Sequence, residues 1–185
     1  MKVGLLSYRS HPYSGGQGIY IKHLSKALKN LGHEVSVLSG PPYPELDSGV
    51  NLIKIPSLGL FESGERLKAF RLRFLWSPID LYEWITVMTG GFPEPYTYGK
   101  RVLKRLKENN LKFDVLLDNQ SLSSSLLEIQ AHYPLAVTIH HPITKDHKLE
   151  MQNAINWKER LSSSRWHNFL PMQKKVAPQL KNIIS

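Results

Sequence analysis

Short hydrophobic runs alternate with amphipathic stretches along most of this chain. Lys2 to Tyr8 is nearly continuous in apolar residues, as a strand buried on both faces requires. From Gly18 to Asn30 the period changes. Ile21, Leu24, Ala27, Leu28 and Leu31 recur at helical spacing, with Lys22, Lys26 and Lys29 on the other side. Gly32 stands where a helix of that length would stop. A second strand is expected at about His33 to Leu38. Gly40-Pro41-Pro42-Tyr43-Pro44 then reads as a loop, because proline cannot donate to a strand ladder. Val50 to Ile55 is a short third strand. Beyond residue 96 the alternation returns, with a helix over Tyr98 to Asn109 and a strand over Phe113 to Leu117 that ends in Asp118-Asn119-Gln120. A short helix over Leu122 to Gln130 leads to a strand over Leu135 to Ile139, closed by His140-His141-Pro142. A final helix spans about Trp157 to Val176, with an interruption at Pro171, and Asn182 to Ser185 begins a last strand.

Residues 59 to 96 follow the pattern less closely. Gly64 to Trp76 reads as a helix with Leu67, Phe70, Phe74 and Leu75 on one side. Ser77-Pro78 restarts the chain, since proline suits a first helical turn, and Ile79 to Met88 is apolar and aromatic up to Gly90-Gly91-Phe92-Pro93-Glu94-Pro95. Aromatic residues interleave here with Arg66, Lys68, Arg71 and Arg73. Such a segment buries its aromatic face in the core, or lies in a membrane interface or over an acceptor. Taken together, strands alternating with helices predict one α/β domain. We expect a Rossmann-like, doubly wound, mostly parallel sheet with helices on both faces. Its functional residues then belong at the carboxyl ends of the strands.

Composition narrows the class. The 185 residues are 41% hydrophobic and include no cysteine, so there is no disulfide framework and no thiolate ligand or nucleophile. Lys2 is followed by too few apolar residues for a signal peptide. No apolar run approaches the roughly 20 residues that span a bilayer. A cytoplasmic protein is expected. The net charge of +9 suits nucleic acid, an anionic membrane or anionic small molecules. One cationic cluster is Arg66 to Arg73, and a second is Lys100, Arg101, Lys104, Arg105 and Lys107. Neither accompanies a nucleic-acid motif, so no nucleic-acid partner is expected.

The candidate chemistry collects after three strands. After the first come Arg9, His11 and Tyr13, then Gly15-Gly16-Gln17-Gly18 at the handover to a helix. That loop is either a tight strand-to-helix turn or a cradle for an anion on the first helical turn's free amides. It is not a dinucleotide fingerprint. The pattern is G-G-x-G rather than G-x-G-x-x-G, and the second strand ends at Ser39 instead of an acid that could hold ribose. Asn119 and Gln120 follow the fourth strand, either as helix caps or as cleft residues. His140 and His141 follow the fifth, where an imidazole can bond a substrate hydroxyl or stabilise developing charge. The other histidines lack metal-ligand spacing, so no metal is expected. No G-x-S-x-G elbow is present for serine nucleophile chemistry.

These residues resemble the N-terminal domain of family 4 glycosyltransferases, which have the two-domain GT-B architecture. The resemblance is carried by Met1-Lys2-Val3-Gly4-Leu5-Leu6-Ser7-Tyr8 with the glycine loop, by Leu31-Gly32-His33-Glu34-Val35, by Phe113-Asp114-Val115 through Asn119, and by Val137-Thr138-Ile139-His140-His141-Pro142. It implies transfer of a sugar from a nucleotide-sugar donor to a sugar or lipid acceptor, with retention of configuration and no cofactor. His140 would stand beside the reacting sugar, and Gly15, Gly16, Gln17 and Gly18 would approach the donor diphosphate. Arg9, His11, Tyr13, Asn119, Gln120 and His141 would face the acceptor. Residues 1–185 would then be the acceptor-side domain. The C-terminal donor-binding domain, with its Glu-x7-Glu motif, is absent from this chain, and the chain alone is expected to be inactive. Contact with the inner face of a membrane is a further implication. The alternative is a non-catalytic module that binds an anionic sugar or a lipid headgroup.

Overall fold

A computed structural model of the chain describes residues 1–61 and 70–185. Six parallel strands form one sheet: β1 (Lys2–Ser7), β2 (Glu34–Ser39), β3 (Asn51–Lys54), β4 (Val115–Asn119), β5 (Leu135–Thr138) and β6 (Ile183–Ile184). Their order is β3-β2-β1-β4-β5-β6. The chain winds outward from β1 to β3, crosses back to β4 beside β1, and winds outward again. All strands point the same way, so their carboxyl ends share one edge, and the winding reverses at the β1–β4 pair. That reversal opens a crevice in a doubly wound sheet.

Strand alternation divides the core between the two faces. Val3 and Leu5 of β1 lie with Val35 and Val37 of β2 on one face, under Ile21 of α1 (Gln17–Asn30). On the other face, Leu6, Leu38, Leu116 and Val137 meet Tyr98, Val102 and Leu106 of α3 (Glu94–Glu108). Leu126 and Ile129 of α4 (Ser125–His132) and Val176 of α7 (Leu170–Val176) complete that layer. Tyr98, Val102 and Leu106 are four apart, which is why α3 presents a continuous apolar stripe to the sheet. The expected doubly wound α/β architecture is the one observed, with every sheet pairing parallel.

Helix boundaries depart from the expectation in four places. The helix expected over Gly64 to Trp76 has its first part, with Arg66, Leu67 and Lys68, outside the described residues. Leu72–Trp76 form a short 3-10 turn, followed by α2 (Pro78–Met88). Helix α3 starts at Glu94 rather than Tyr98, because Pro95 occupies its first turn, where proline lacks nothing the helix needs. Helix α4 starts at Ser125 instead of Leu122. Leu122 has a φ of 47°, outside the right-handed helical region. The last long helix is two: α6 (Trp157–Trp166) and α7, parted at residues 167–169, with Pro171 again in a first turn. A further helix, α5 (Ile143–Asn153), follows the histidine pair where no element was expected.

Among the described residues no helix is long and apolar enough to cross a membrane.

Leu5 is fully buried between β2, β4 and α1, whereas Leu31, just past the end of α1, is 72% exposed. Leu5→Ala should lower unfolding free energy by about 2–5 kcal/mol in denaturant titration. Leu31→Ala should stay within about 0.5 kcal/mol of the parent.

Candidate active site

Ser7 ends β1 at the centre of the carboxyl edge and is fully buried. Its amide donates to the Tyr98 hydroxyl at 2.8 Å, and that hydroxyl donates to the Leu38 carbonyl at 2.6 Å. The ends of β1 and β2 are thereby fixed to α3. Burial raises the Tyr98 pKa well above that of a free phenol, with Asp118 adding to the effect, so the proton these bonds need stays in place. The Ser7 hydroxyl donates to the Arg9 carbonyl at 3.1 Å and accepts from Ser10 at 2.8 Å. Ser39, where an acid would have marked a ribose site, donates to Ser10 at 3.0 Å and is itself buried.

From Ser7 the network continues to β4 and β5. The Asn119 side-chain amide donates to the Ser7 hydroxyl at 3.5 Å, and its oxygen lies 2.5 Å from Nε2 of His140. That oxygen can only accept, so Nε2 carries hydrogen and Nδ1 is left as an acceptor. The Tyr20 ring meets the imidazole in a T-shaped contact, with ring centroids 4.5 Å apart. Gln120 is buried and holds the loop in place. Its Oε1 accepts from the His140 amide at 2.9 Å, and its Nε2 donates to the His141 carbonyl at 2.7 Å. Desolvation, and secondarily the neighbouring His141, lowers the His140 pKa, which favours the neutral imidazole.

The glycine loop comes to the same place. Gly15 and Gly16 have φ of 77° and 62°, left-handed values that cost glycine little. Gly18 is required for another reason: a side-chain carbon there would collide with the His11 carbonyl. Helix α1 therefore starts close against the loop that follows β1. Its first turn has no side-chain cap and no acidic residue, so the positive end of its dipole is uncompensated, although the Gln17 amide already bonds the Gly15 carbonyl at 2.5 Å. Tyr20, whose amide bonds the Gly16 carbonyl at 2.8 Å, is the residue against His140. The imidazole and the helix start are thus within one turn of each other.

Other expected site residues go elsewhere. Arg9 pairs with Glu94 at 3.4 Å. Tyr13 turns outward to hydrogen-bond Glu45, and His11 accepts the Tyr13 amide at 3.1 Å. The His141 ring lies 3.4 Å from Asp146 of α5 and does not join His140 in the network. Both amide atoms of Gln120 are taken by backbone, so its part is to shape the histidine loop. Tyr20 carried no signal in the sequence beyond its place in α1. The signal for Asp118 was its position at a strand end. Wholly buried, it accepts from the Ser121 amide at 2.8 Å and hydroxyl at 2.5 Å and from the Leu122 amide at 3.3 Å. These bonds, with Gln173 donating to the Ser121 carbonyl at 3.0 Å, stabilise a turn in which Gln120 and Leu122 have φ of 57° and 47°.

A doubly wound α/β domain whose carboxyl edge joins a neutral imidazole to an uncapped helix start is built for a ligand with both hydroxyl and anionic groups. The family model for Glycosyltransferase Family 4 matches residues 14–182. The "MMP alpha-(1->4)-mannosyltransferase" of Mycolicibacterium hassiacum is 44% identical over 187 residues, covering 100% of this chain and 45% of that protein. The chain belongs to glycosyltransferase family 4, and it spans less than half the length of this curated relative.

Desolvation raises the Asp118 pKa to about 6, opposed by its three hydrogen bonds. The unfolded carboxyl ionises near pH 4, so between that pH and 6 the folded state holds the extra proton and this group's contribution falls as pH rises. The stability of Asp118→Asn relative to the parent should therefore improve by about 2 kcal/mol between pH 4 and pH 7. Denaturant unfolding of both proteins across that range measures the difference.

Proposed function

We propose that this chain is the acceptor-side half of a retaining glycosyltransferase that transfers a sugar from a nucleotide-sugar donor to an acceptor hydroxyl. The observation that carries the reading is the His140 ring held between Asn119 and Tyr20, one turn from the uncapped start of α1. The mannosyltransferase relative supports a mannosyl donor and an α-(1→4) linkage. When the donor is itself α-linked, an α product means retention.

In the reaction the bond from the anomeric carbon to the donor phosphate breaks and a bond to the acceptor oxygen forms. The acceptor proton leaves with the nucleoside diphosphate. His140 orients the sugar: Nε2–H is committed to Asn119, so Nδ1 accepts from a sugar hydroxyl. Its role is positioning and charge stabilisation, with no covalent step through the imidazole. The α1 amides from Gly16 to Gly18 offset the negative charge that develops on the departing diphosphate, as preorganised dipoles do. Arg9, His11, Tyr13 and His141 pair away from His140, on the segments that follow β1 and β5, and would meet the acceptor from there.

A second domain would supply the nucleotide contacts and close the cleft. An open half-site cannot exclude water, so the isolated chain should not turn over. Contact with a membrane surface is supported by Leu72, Leu75 and Trp76, which are exposed beside Arg71 and Arg73.

The test is sugar transfer by the intact protein, supplied in turn with the UDP, GDP and ADP forms of mannose. His140→Ala should lower turnover at least about tenfold, or 1.4 kcal/mol of barrier, while the variant stays folded at the assay temperature. Turnover unaffected by the substitution would remove His140 from the reaction. A folded intact protein that turns over none of these donors would favour the non-catalytic binding module instead.

A further inference from the structure

The second cationic cluster of the sequence lies away from His140. Arg101, Lys104 and Arg105 fall on one face of α3, because residues three and four apart are neighbours on a helix. They line a cleft of about 880 Å³ together with Lys54 at the carboxyl end of β3, Arg73 of the 3-10 turn and Ser77 at the start of α2.

Among the described residues the carboxylates there do not balance these charges. Asp80 and Glu83 are both committed to Arg101: Asp80 pairs with its Nη2 at 2.6 Å and Glu83 with its Nη1. Glu108 lies 3.7 Å from Lys104. Among the described residues Arg73 and Arg105 have no ion-pair partner, and Lys54 lies over the Tyr43 ring at 4.9 Å. Holding like charges around one concavity is unfavourable without a counter-charge. Arg101, locked by its two carboxylates, gives the site a rigid floor.

The cleft also has a direction. Ile55, Pro56, Ser57 and Arg101 line both this cleft and a smaller cavity bounded by Tyr8, Glu94 and Tyr98. Those last residues belong to the end of β1 and the start of α3, at the carboxyl edge already described. The cleft therefore borders that edge through a shared wall, the smaller cavity itself holding only about 10 Å³.

We propose that the Lys54–Arg73–Arg105 cleft binds a phosphomonoester group, with the guanidinium groups taking its oxygens and the serine hydroxyls at the rim completing the contacts. It deepens the glycosyltransferase reading by making the ligand a phosphate-bearing acceptor. The binding itself is independent of transfer and is measured directly.

The experiment is equilibrium binding of inorganic phosphate and mannose 6-phosphate to the intact protein, by titration calorimetry at fixed ionic strength. A second arm measures co-sedimentation with vesicles of phosphatidylcholine, with and without phosphatidylinositol 4-phosphate. Arg73→Gln with Arg105→Gln removes two positive charges from the cleft. Lys174→Gln with Lys175→Gln removes two from exposed positions on α7, outside it. Saturable binding that weakens at least tenfold in the cleft variant and less than twofold in the α7 variant is the expected result. Mannose 6-phosphate binding more tightly than inorganic phosphate, without vesicle capture, would assign a soluble ligand. Vesicle capture that needs the phosphorylated lipid, and is competed by inorganic phosphate, would assign a lipid headgroup. Absence of saturable binding in both arms, or equal weakening in the two variants, would overturn the site and leave the transfer activity to be judged on His140.

Discussion

Most polar groups buried at the carboxyl edge of the sheet are hydrogen-bonded, the Thr138 hydroxyl excepted, and in this chain one serine is their meeting point. Ser7 bonds through its amide to Tyr98 and through its hydroxyl to the Arg9 carbonyl, Ser10 and Asn119. A buried donor or acceptor left unmade costs about 1–3 kcal/mol, so the geometry around it is narrowly defined. Asn119 cannot reach Ser7 unless β4 pairs with β1 in the observed register, and His140 cannot reach Asn119 unless β5 pairs correctly with β4. The orientation of the imidazole is thus a consequence of sheet register, transmitted through three hydrogen-bonded side chains.

The turn after β4 shows how that geometry is held against local preference. Gln120 and Leu122 both have left-handed backbone, which non-glycine residues adopt at a cost. Asp118 offsets that cost with three bonds to the turn, two of them to backbone, and Gln173 reaches across from α7 to a third backbone group. Gln120, displaced by this turn, is aimed at the histidine loop and holds it at two backbone atoms. Strain at one strand end therefore positions the residue at the next. Asp118 is the component of this device that responds to pH, because its burial is complete and, among the described residues, no cation lies against it to hold the charge.

Elements with one well-defined buried face were legible in the sequence. The first two strands, α1 and the Tyr98–Val102–Leu106 stripe of α3 lie within a few residues of where periodicity puts them. Helix α5 was not legible, because it buries none of its residues and so has no apolar period to read. The prolines at 93 and 95 looked like a terminator, although proline at the start of a helix and proline at its end leave similar local composition. The strand ends identified which loops meet. Which way each side chain turns was not contained in that pattern. Arg9 to Glu94, Tyr13 to Glu45 and Gln120 to the backbone are contacts between residues distant in sequence, set by packing rather than by spacing.

The same distinction separates the two polar regions of the domain. At the His140 edge, polar side chains are buried and bonded to one another, so the network presents few free groups: one imidazole acceptor and the amides of an uncapped helix. Each of those groups is held in one orientation by its bonded neighbours. In the α3 cleft the cations are exposed and only Arg101 is fixed, so attraction there depends on charge and tolerates different shapes. The two regions therefore differ in what they can recognise. The first discriminates by hydrogen-bond geometry over a few ångströms, and the second by charge over the longer reach of an electrostatic field.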